Sequence, residues 1–189
     1  MKIRHAGFTL IELMVVVAII AILVSMAVPS FRTLLSKRAA MAAADSLVSD
    51  MTLARSEALK RSAAATVCRS TDGLKCASAN GSWHVGWLVF VDMNADGTNL
   101  DAGGVVDAGD TVVRVQQELP GIATIDAGAG ANPKRFIRYD PNGRARAMNQ
   151  TFVVTPSGAA TTGVTGTTRL VCISVTGRPS LRAAGETSC

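Results

Sequence analysis

A 21-residue apolar run, residues 8–28, lies near the beginning of the chain, and its only charged side chain is Glu12. A helix of that length is long enough to cross the roughly 30 Å hydrocarbon core of a membrane. Two basic residues, Lys2 and Arg4, precede the run. Because positive charges stay on the cytoplasmic side, we expect a single-pass anchor with a cytoplasmic N-terminus and with the chain after Pro29 outside.

Beyond Pro29 the pattern is that of an amphipathic helix. Apolar residues recur at steps of three and four, which places them on one face, and charged residues largely occupy the others. The stripe consists of Met41, Ala44, Val48, Met51, Ala54 and Ala58. The pattern predicts a helix that continues to about Ala64, roughly 80 Å long in all from Phe8. A rod of that length suits a spine shared between subunits, and we interpret the stripe as its contact with a sheet.

After Thr66 the helical period gives way to short runs rich in Val, Ile, Thr and Phe, separated by clusters of Gly, Asp, Asn and Pro. Such runs predict β-strands. The predicted strands are Trp83–Asp92, Thr111–Gln117, Arg135–Tyr139, Thr151–Thr155 and Arg169–Val175, with loops at 97–110, 126–133 and 156–168. The expected fold class is therefore α+β, with an antiparallel sheet packed on the second half of the long helix.

Composition excludes several classes of protein. A chain of 189 residues with 48% hydrophobic residues is not disordered. Two histidines, His5 and His84, argue against His-rich metal sites and most His-based catalysis. Since no nucleophile elbow, phosphate-binding glycine loop or carboxylate pair is evident either, we expect a protein that is not an enzyme.

Charge is divided unevenly along the chain, whose formal net charge is +5. Residues 72–126 hold two basic and eight acidic side chains, a net charge of −6, whereas residues 131–189 hold eight basic and two acidic ones, a net charge of +6. An acidic middle and a basic end can present different faces to different partners.

Glu12 is an unusual residue for an apolar helix, because a carboxylate in hydrocarbon costs on the order of 2–3 kcal/mol or more. One alternative is that it is tolerated near the membrane boundary. A second is an ordinary secretory signal with a small-residue cleavage site at Ser25–Ala27. The interpretation we favour is that Glu12 pairs with a cation from a partner.

The segment Lys2-Ile3-Arg4-His5-Ala6-Gly7, followed by Phe8-Thr9-Leu10-Ile11-Glu12-Leu13, resembles the class III signal of type IV pilins and type II secretion pseudopilins. The resemblance implies that a prepilin peptidase cuts between Gly7 and Phe8 and methylates the new N-terminal Phe8. It also implies that Glu12 is the assembly residue, which pairs with the N-terminal amine of a neighbouring subunit. Pro29 falls where that family places a helix-kinking proline.

The rest of the chain resembles the FimT/FimU and GspH group of minor pilins. The matching pieces are Leu53–Ala58, Cys68, Trp83–Trp87, Phe90–Asp92, Gly109–Asp110, Val112–Arg114, Pro141–Gly143 and Gly177–Arg178. This resemblance divides the chain into a leader, 1–7, a transmembrane and assembly helix, 8–28, an amphipathic stalk helix, 29–64, and a β-rich head, 65–189.

The function that this resemblance implies is that of a minor type IV pilin in the pilus or its priming tip complex. The alternative is a GspH-like minor pseudopilin of a type II secretion system. In either case the expected partners are other pilin or pseudopilin subunits, the assembly platform of the bacterial inner membrane and the prepilin peptidase. The head would lie in the periplasm.

Four cysteines in an oxidising compartment suggest two disulfide bridges, for which three pairings exist. Proximity in the sequence favours Cys68 with Cys76 and Cys172 with Cys189. Chain-entropy estimates assign each bridge about 2.5–3 kcal/mol. A zinc site is the alternative, although the spacings include no CxxC pair.

Asp92, Asn94 and Asp96, followed by Gly97, fit the first half of a calcium-binding EF-hand loop. Position twelve of that loop is Gly103, where a bidentate Glu is needed. The alternative is a turn rich in Asp and Asn because those residues favour turns. We expect no other cofactor.

Basic residues cluster late in the chain, and the resemblance to FimT-type pilins raises the hypothesis that they bind DNA through a Gly-Arg-x-Arg motif near the C-terminus. The candidate contacts are Arg178 and Arg182, with Lys134, Arg135, Arg144 and Arg146 as further candidates. In Gly177–Arg182 the second arginine comes two positions later than the motif requires. Gly143–Arg146 matches the motif in sequence, but it follows Pro141-Asn142, which indicates a turn. The alternative is a solvated or subunit-packing basic face.

Overall fold

The structure is a computed structural model of the 189-residue chain. It describes residues 9–93, 106–107, 109–128, 135–146, 150–158, 167–182, 186 and 189. The chain divides into two compact units, one up to Leu35 and one formed by Ser36–Cys189. The second unit contains every strand.

Helix α1 spans Leu10–Arg61 and contains Pro29. Thr9 caps its first turn, where the Glu12 backbone N–H donates to the Thr9 hydroxyl oxygen at 3.3 Å. The helix ends at Arg61, before the predicted end at Ala64. The residue that follows it, Ser62, has a positive φ of 51°. Ala64 instead begins the first strand, because pairing with a neighbouring strand outweighs the helix preference of an alanine-rich segment.

The buried face of α1 differs by a small rotation from the predicted stripe. Met41 is 46% exposed and Val48 is only partly buried. The buried positions are Ala40, Ala43, Ala44, Leu47, Asp50, Met51, Ala54, Glu57 and Ala58. Five alanines on this face let the helix approach the sheets closely. Two charged residues, Asp50 and Glu57, are also buried there, although hydrophobic patterning predicts charged residues on the exposed faces of the helix.

The first sheet is antiparallel with the strand order β3-β2-β1-β5. Its strands are β1 Ala64–Arg69, β2 Trp87–Asp92, β3 Asp110–Gln116 and β5 Phe136–Tyr139. The register of β2 against β3 shifts between Val89 and Phe90, so Val113 of β3 has no direct partner. As a result Val112 and Val115, three residues apart, oppose Phe90 and Leu88 on the same face.

The second sheet is also antiparallel and has the strand order β4-β6-β7-β8. Its strands are β4 Ile122–Ala127, β6 Gln150–Pro156, β7 Arg169–Ile173 and β8 Pro179–Arg182. Buried and partly exposed residues alternate along β6, as expected of a strand with one face on the core.

The α+β class is confirmed, but the single predicted sheet is two sheets. Strands β1, β4 and β8 were not predicted, because Ala, Asp and Pro are poor strand formers and only partner strands stabilise them there. The first part of the predicted strand Trp83–Asp92 is a 3-10 turn, Trp83–Val85. Most of the three predicted loops lies outside the described residues. Where the loops are described, Asp110 begins β3, Asp126 and Ala127 belong to β4, and Pro156 ends β6.

One core joins α1 to the inner faces of both sheets. Trp83 and Phe152 meet edge to face with ring centroids 5.1 Å apart, and both side chains are fully buried. A smaller apolar cluster lies on the other face of the first sheet and consists of Cys68, Cys76, Leu88 and Phe90, with Val106 and Phe136 against it. The head is therefore stabilised on both faces of its first sheet.

Candidate functional site

The first unit presents an apolar helix with a single acidic residue near its beginning. By length and composition, α1 is long enough and apolar enough to cross a membrane, and the apolar part is exposed throughout. Glu12 lies in the first turn, exposed, and forms no ion pair within the part of the chain that the structure describes. Gly7 and Phe8, the predicted cleavage and methylation residues, lie outside the described residues, so their roles stay predictions.

The head contains two disulfides, which join the cysteine pairs favoured by proximity in the sequence. Cys68 of β1 is bonded to Cys76, and Cys172 of β7 is bonded to Cys189. The first bridge closes a short loop over the smaller apolar cluster, and the second attaches the final residue to the second sheet. All four thiols are consumed, so the head has no free cysteine.

Asp50 connects α1 to the first sheet through polar contacts inside the core. Its carboxylate accepts a hydrogen bond from the Trp87 indole nitrogen at 2.8 Å and lies 3.6 Å from the Arg114 guanidinium. Burial raises the pKa of Asp50 above its ordinary value, and the contacts with Trp87 and Arg114 offset part of that rise. These contacts fix the position of the helix against strands β2 and β3.

A second connection between α1 and the head ends at the backbone of Gly143. The Arg55 guanidinium donates a hydrogen bond to the Gly143 carbonyl oxygen at 3.0 Å. Gly177, in the turn between β7 and β8, packs directly against the same carbonyl and leaves no space for a side chain. Both glycines have a positive φ, 75° and 80°, which other residues rarely adopt. The two loops, one from each sheet, therefore touch backbone to backbone.

This contact brings together the two Gly-Arg pairs of the sequence, because Arg144 follows Gly143 and Arg178 follows Gly177. Arg144 and Arg178 are exposed and form no ion pair within the described residues. We call these two side chains the arginine pair. Sequence reasoning missed it, although the repeated Gly-Arg dipeptide was a usable signal.

The other predicted DNA contacts are placed differently. Arg182 ends strand β8 and lies 3.8 Å from Glu186, and Arg146 donates to the Asp140 carboxylate at 2.7 Å. The Arg135 guanidinium donates to the Ser78 backbone carbonyl oxygen. Lys134 lies outside the described residues. Arg178 thus directly precedes strand β8 and Arg182 is its last residue, whereas Gly177, next to Arg178, touches the Gly143 loop.

The calcium hypothesis rests mainly on residues outside the described part, Asn94 and Asp96. Asp92 is 4% exposed, and its carboxylate lies 3.3 Å from the Arg138 guanidinium. A calcium ion at Asp92 would have to compete with that cation. No group of three metal-binding side chains occurs among the described residues, and calcium binding stays a prediction.

Comparison with known proteins places this architecture in a family. Residues 43–177 match the sequence model of the family described as type II transport protein GspH. The chain is a member of the GspH family. Residues 2–28 match a second model, the prokaryotic N-terminal methylation motif, so this GspH-family chain carries the N-terminal segment of pilin-like proteins. No curated protein sequence is significantly similar to it.

Solved structures of two known proteins are among those that match this chain. The type IV minor pilin FimU of Pseudomonas aeruginosa is 19% identical, with 79% of this chain and 94% of that one covered and a TM-score of 0.53. The minor pseudopilin EpsH from the type 2 secretion system of Vibrio cholerae is 16% identical, with 78% and 98% covered and a TM-score of 0.45. The likeness to FimU shows that the fold of this GspH-family chain is pilin-like.

Proposed function

We propose that this protein is a minor type IV pilin, a structural subunit that is stored in the bacterial inner membrane and incorporated into a pilus or its priming tip complex. The observation that supports this proposal most directly is the exposed apolar half of α1, with Glu12 in its first turn. An exposed apolar surface of that size has to be covered by lipid or by other helices. A structural role of this kind requires no catalysis.

The proposed topology has the leader in the cytoplasm and the head in the periplasm. Lys2 and Arg4 before the apolar run support this orientation through the positive-inside rule. The two disulfides also support it, because such bonds persist in oxidising compartments and are rare in the cytoplasm. After cleavage at Gly7, the anchor would begin with N-methylated Phe8.

The test is the substitution Glu12→Ala. Removing the carboxylate leaves an apolar helix that inserts in the membrane at least as well, so membrane insertion and leader cleavage should survive. The amount of the protein in sheared fibres should fall, because the pairing with the amine of a neighbouring subunit is lost. Ser25→Ala, a polar-to-apolar change in the same helix, is the control and should leave incorporation unchanged. Wild-type amounts of the Glu12→Ala protein in fibres would exclude the proposed role of Glu12.

The alternative is a GspH-like minor pseudopilin of a type II secretion system, which the family membership supports equally. The two functions differ in what a deletion abolishes. Loss of the protein should reduce surface piliation if it is a minor pilin, and should reduce secretion of folded exoproteins while leaving pili intact if it is a pseudopilin.

The arginine pair favours a second function, weak DNA binding that would serve DNA uptake. Arg144 and Arg178 extend into solvent from two loops that hold one another, whereas Arg146 and Arg182 have acidic partners. Two arginines can neutralise two phosphates, which gives weak, sequence-independent binding whose affinity falls with salt at a log–log slope of roughly −2 on duplex DNA.

The DNA proposal is tested by titrating the detergent-solubilised full-length protein with random-sequence duplex at several salt concentrations. Arg144→Gln combined with Arg178→Gln should reduce the salt slope by about two units. The matched control is Arg146→Gln combined with Arg182→Gln, which removes the same charge from residues that already have acidic partners. If the salt slope falls more in Arg146→Gln with Arg182→Gln than in Arg144→Gln with Arg178→Gln, the DNA site lies at the end of β8 instead.

A further inference from the structure

The two sheets have four edge strands, and in the described part of the chain three of these edges are protected. At β4, the Ser82 hydroxyl accepts a hydrogen bond from the Ile125 backbone N–H at 2.6 Å and contacts the Ile125 carbonyl oxygen at 3.2 Å. At β5, the chain folds back, with Ala145 bridging to Tyr139. Strand β8 has only four residues and begins with a proline. Covering, short length and proline are the usual means by which proteins prevent strand addition.

Strand β3 has none of these three protections, and the register shift at Val113 is the one irregularity along its pairing with β2. It has seven residues, Asp110–Gln116, contains neither proline nor lysine, and pairs with β2 along one side. Within the described residues, no backbone hydrogen bond joins Thr111–Gln116 to any element other than β2. The outer side of β3 therefore offers backbone donors and acceptors in the spacing that only another extended strand matches.

Exposed apolar side chains border this edge. Val112 is 42% exposed and Val115 is 37% exposed, and the register shift between β2 and β3 puts both on the same face. Gly73 packs against Val115, since a Cβ at position 73 would come within 2.7 Å of the valine Cγ1. Leu74, the next residue, is 69% exposed. We call Leu74, Val112 and Val115 the β3 edge patch.

The loop that presents Leu74 is held in place. The Cys68–Cys76 disulfide closes it, and the Asp72 carboxylate accepts hydrogen bonds from the backbone N–H groups of Leu74 at 2.9 Å and Lys75 at 3.1 Å. These hydrogen bonds, with the Leu74 amide as the main cause, lower the pKa of Asp72 below its ordinary value. An exposed leucine on a fixed loop costs little conformational entropy when a partner covers it.

We infer that the outer side of β3 receives an extended strand from the head of a different pilin-family subunit in the assembled fibre, with apolar side chains on the β3 edge patch and basic residues at its ends. The charge around the edge supports this partner. Nearby acidic residues outnumber basic ones, and Arg114 already faces Asp50. The charged residues concerned are Asp72, Lys75, Asp107, Asp110, Arg114 and Glu118.

The same charges disfavour a second copy that pairs through its own β3, because two acidic edges would be brought together. A single added strand buries too little surface for a stable complex by itself. Apolar helices that already hold neighbouring subunits close raise the effective concentration of the strand, so a weak contact suffices. The inference thus rests on the proposed assembly into a fibre.

The first test compares amide hydrogen exchange of the full-length protein in detergent with exchange in assembled fibres, and needs no substitution. In the isolated chain the outward-facing amides of β3 should exchange rapidly. In fibres they should slow by more than about tenfold, while the exposed loop residues Val175 and Thr176 stay unchanged. Equal exchange of β3 in the two states overturns the inference. Since assembly is verified by the fibres themselves, that result would leave the proposed function intact.

The second test identifies the neighbour. A photo-crosslinking residue at Val112 of the full-length protein in its native membrane should yield an adduct whose partner peptide lies in a head strand of another pilin-family subunit. The same probe at Val175, which is 40% exposed, is the control and should not yield that adduct. Val115→Lys should reduce the Val112 adduct at least several-fold while both disulfides still form. An adduct with a second copy, with a helix, or with no protein overturns the inference.

Discussion

Gly177 and Gly143 make a backbone contact that joins the two sheets of the head: a Cβ on Gly177 would overlap the Gly143 carbonyl oxygen. The Arg55 side chain donates to that same oxygen from helix α1. Three parts of the fold that are far apart in the sequence, α1, the loop after β5 and the turn before β8, therefore meet at one carbonyl group. This meeting also sets the position of the arginine pair.

Gly177→Ala should destabilise the head strongly. The change adds about 1 kcal/mol of backbone strain at a φ of 80° and a further 1–3 kcal/mol, roughly, for the overlap with Gly143. Gly158→Ala is the matched control, because Gly158 has a φ of 84° but its Cβ would meet none of the described residues within 4 Å. The midpoint of chemical denaturation should therefore fall much further for Gly177→Ala. Equal decreases in the denaturation midpoint for the two variants would show that the contact with Gly143 does not contribute to stability.

Asp50 should give the head a specific pH dependence. Burial raises its pKa in the folded state above the ordinary value of 3.8, so between these two pKa values the folded state holds more protons than the unfolded state. The free energy of unfolding should therefore decrease as pH rises through that window, relative to Asp50→Asn, and the difference should be constant below and above it. Denaturation between pH 3 and pH 7 measures this.

Asp45→Asn, an exposed carboxylate on the same helix, is the control for Asp50 and should retain the wild-type decrease. Identical pH profiles for wild type and Asp50→Asn would contradict the prediction.

The Cys172–Cys189 bridge should stabilise the head by about 3 kcal/mol, because it closes a loop with a sequence separation of 17 residues. Replacing both cysteines by serine should lower the free energy of unfolding by that amount. The control is reduction at constant pH, which should destabilise the wild type more than the variant, since the variant retains only Cys68–Cys76. Equal free energies of unfolding for the wild type and the double-serine variant would mean that the bridge does not constrain the unfolded chain.

Gly7→Val should block processing, because a bulky residue before the scissile bond obstructs the peptidase. Mass spectrometry of the mature wild-type protein should find N-methyl-Phe8 as the first residue, and the variant should keep its leader. Ala6→Ser, a small substitution one position earlier, is the control and should be processed. A mature chain that starts at Val28 would instead establish cleavage as an ordinary secretory signal.

Much of this architecture could be predicted locally. The strands β3, β5 and β6 lie within one residue of their predicted bounds at every end, because short runs rich in Val, Ile, Phe and Thr favour strands. Strands β1, β4 and β8 could not be predicted from local pattern. Ala64–Arg69 begins in the alanine-rich end of the helical segment, Ile122–Ala127 ends in Asp and Ala, and Pro179–Arg182 is short and begins with proline, so all three depend on their neighbours for pairing.

Local sequence is sufficient to identify the membrane-length apolar run, Glu12 within it, the N-terminal methylation motif and the α+β class, because each depends on residues close together in the chain. The folded structure was needed to show that the turn at Gly177 contacts the loop at Gly143, that Asp50 belongs to the core, and that among the described residues no strand pairs with the outer side of β3. Those relationships depend on which distant strands and loops pack together, and a contact such as Gly143 with Gly177 leaves no periodic signal along the chain.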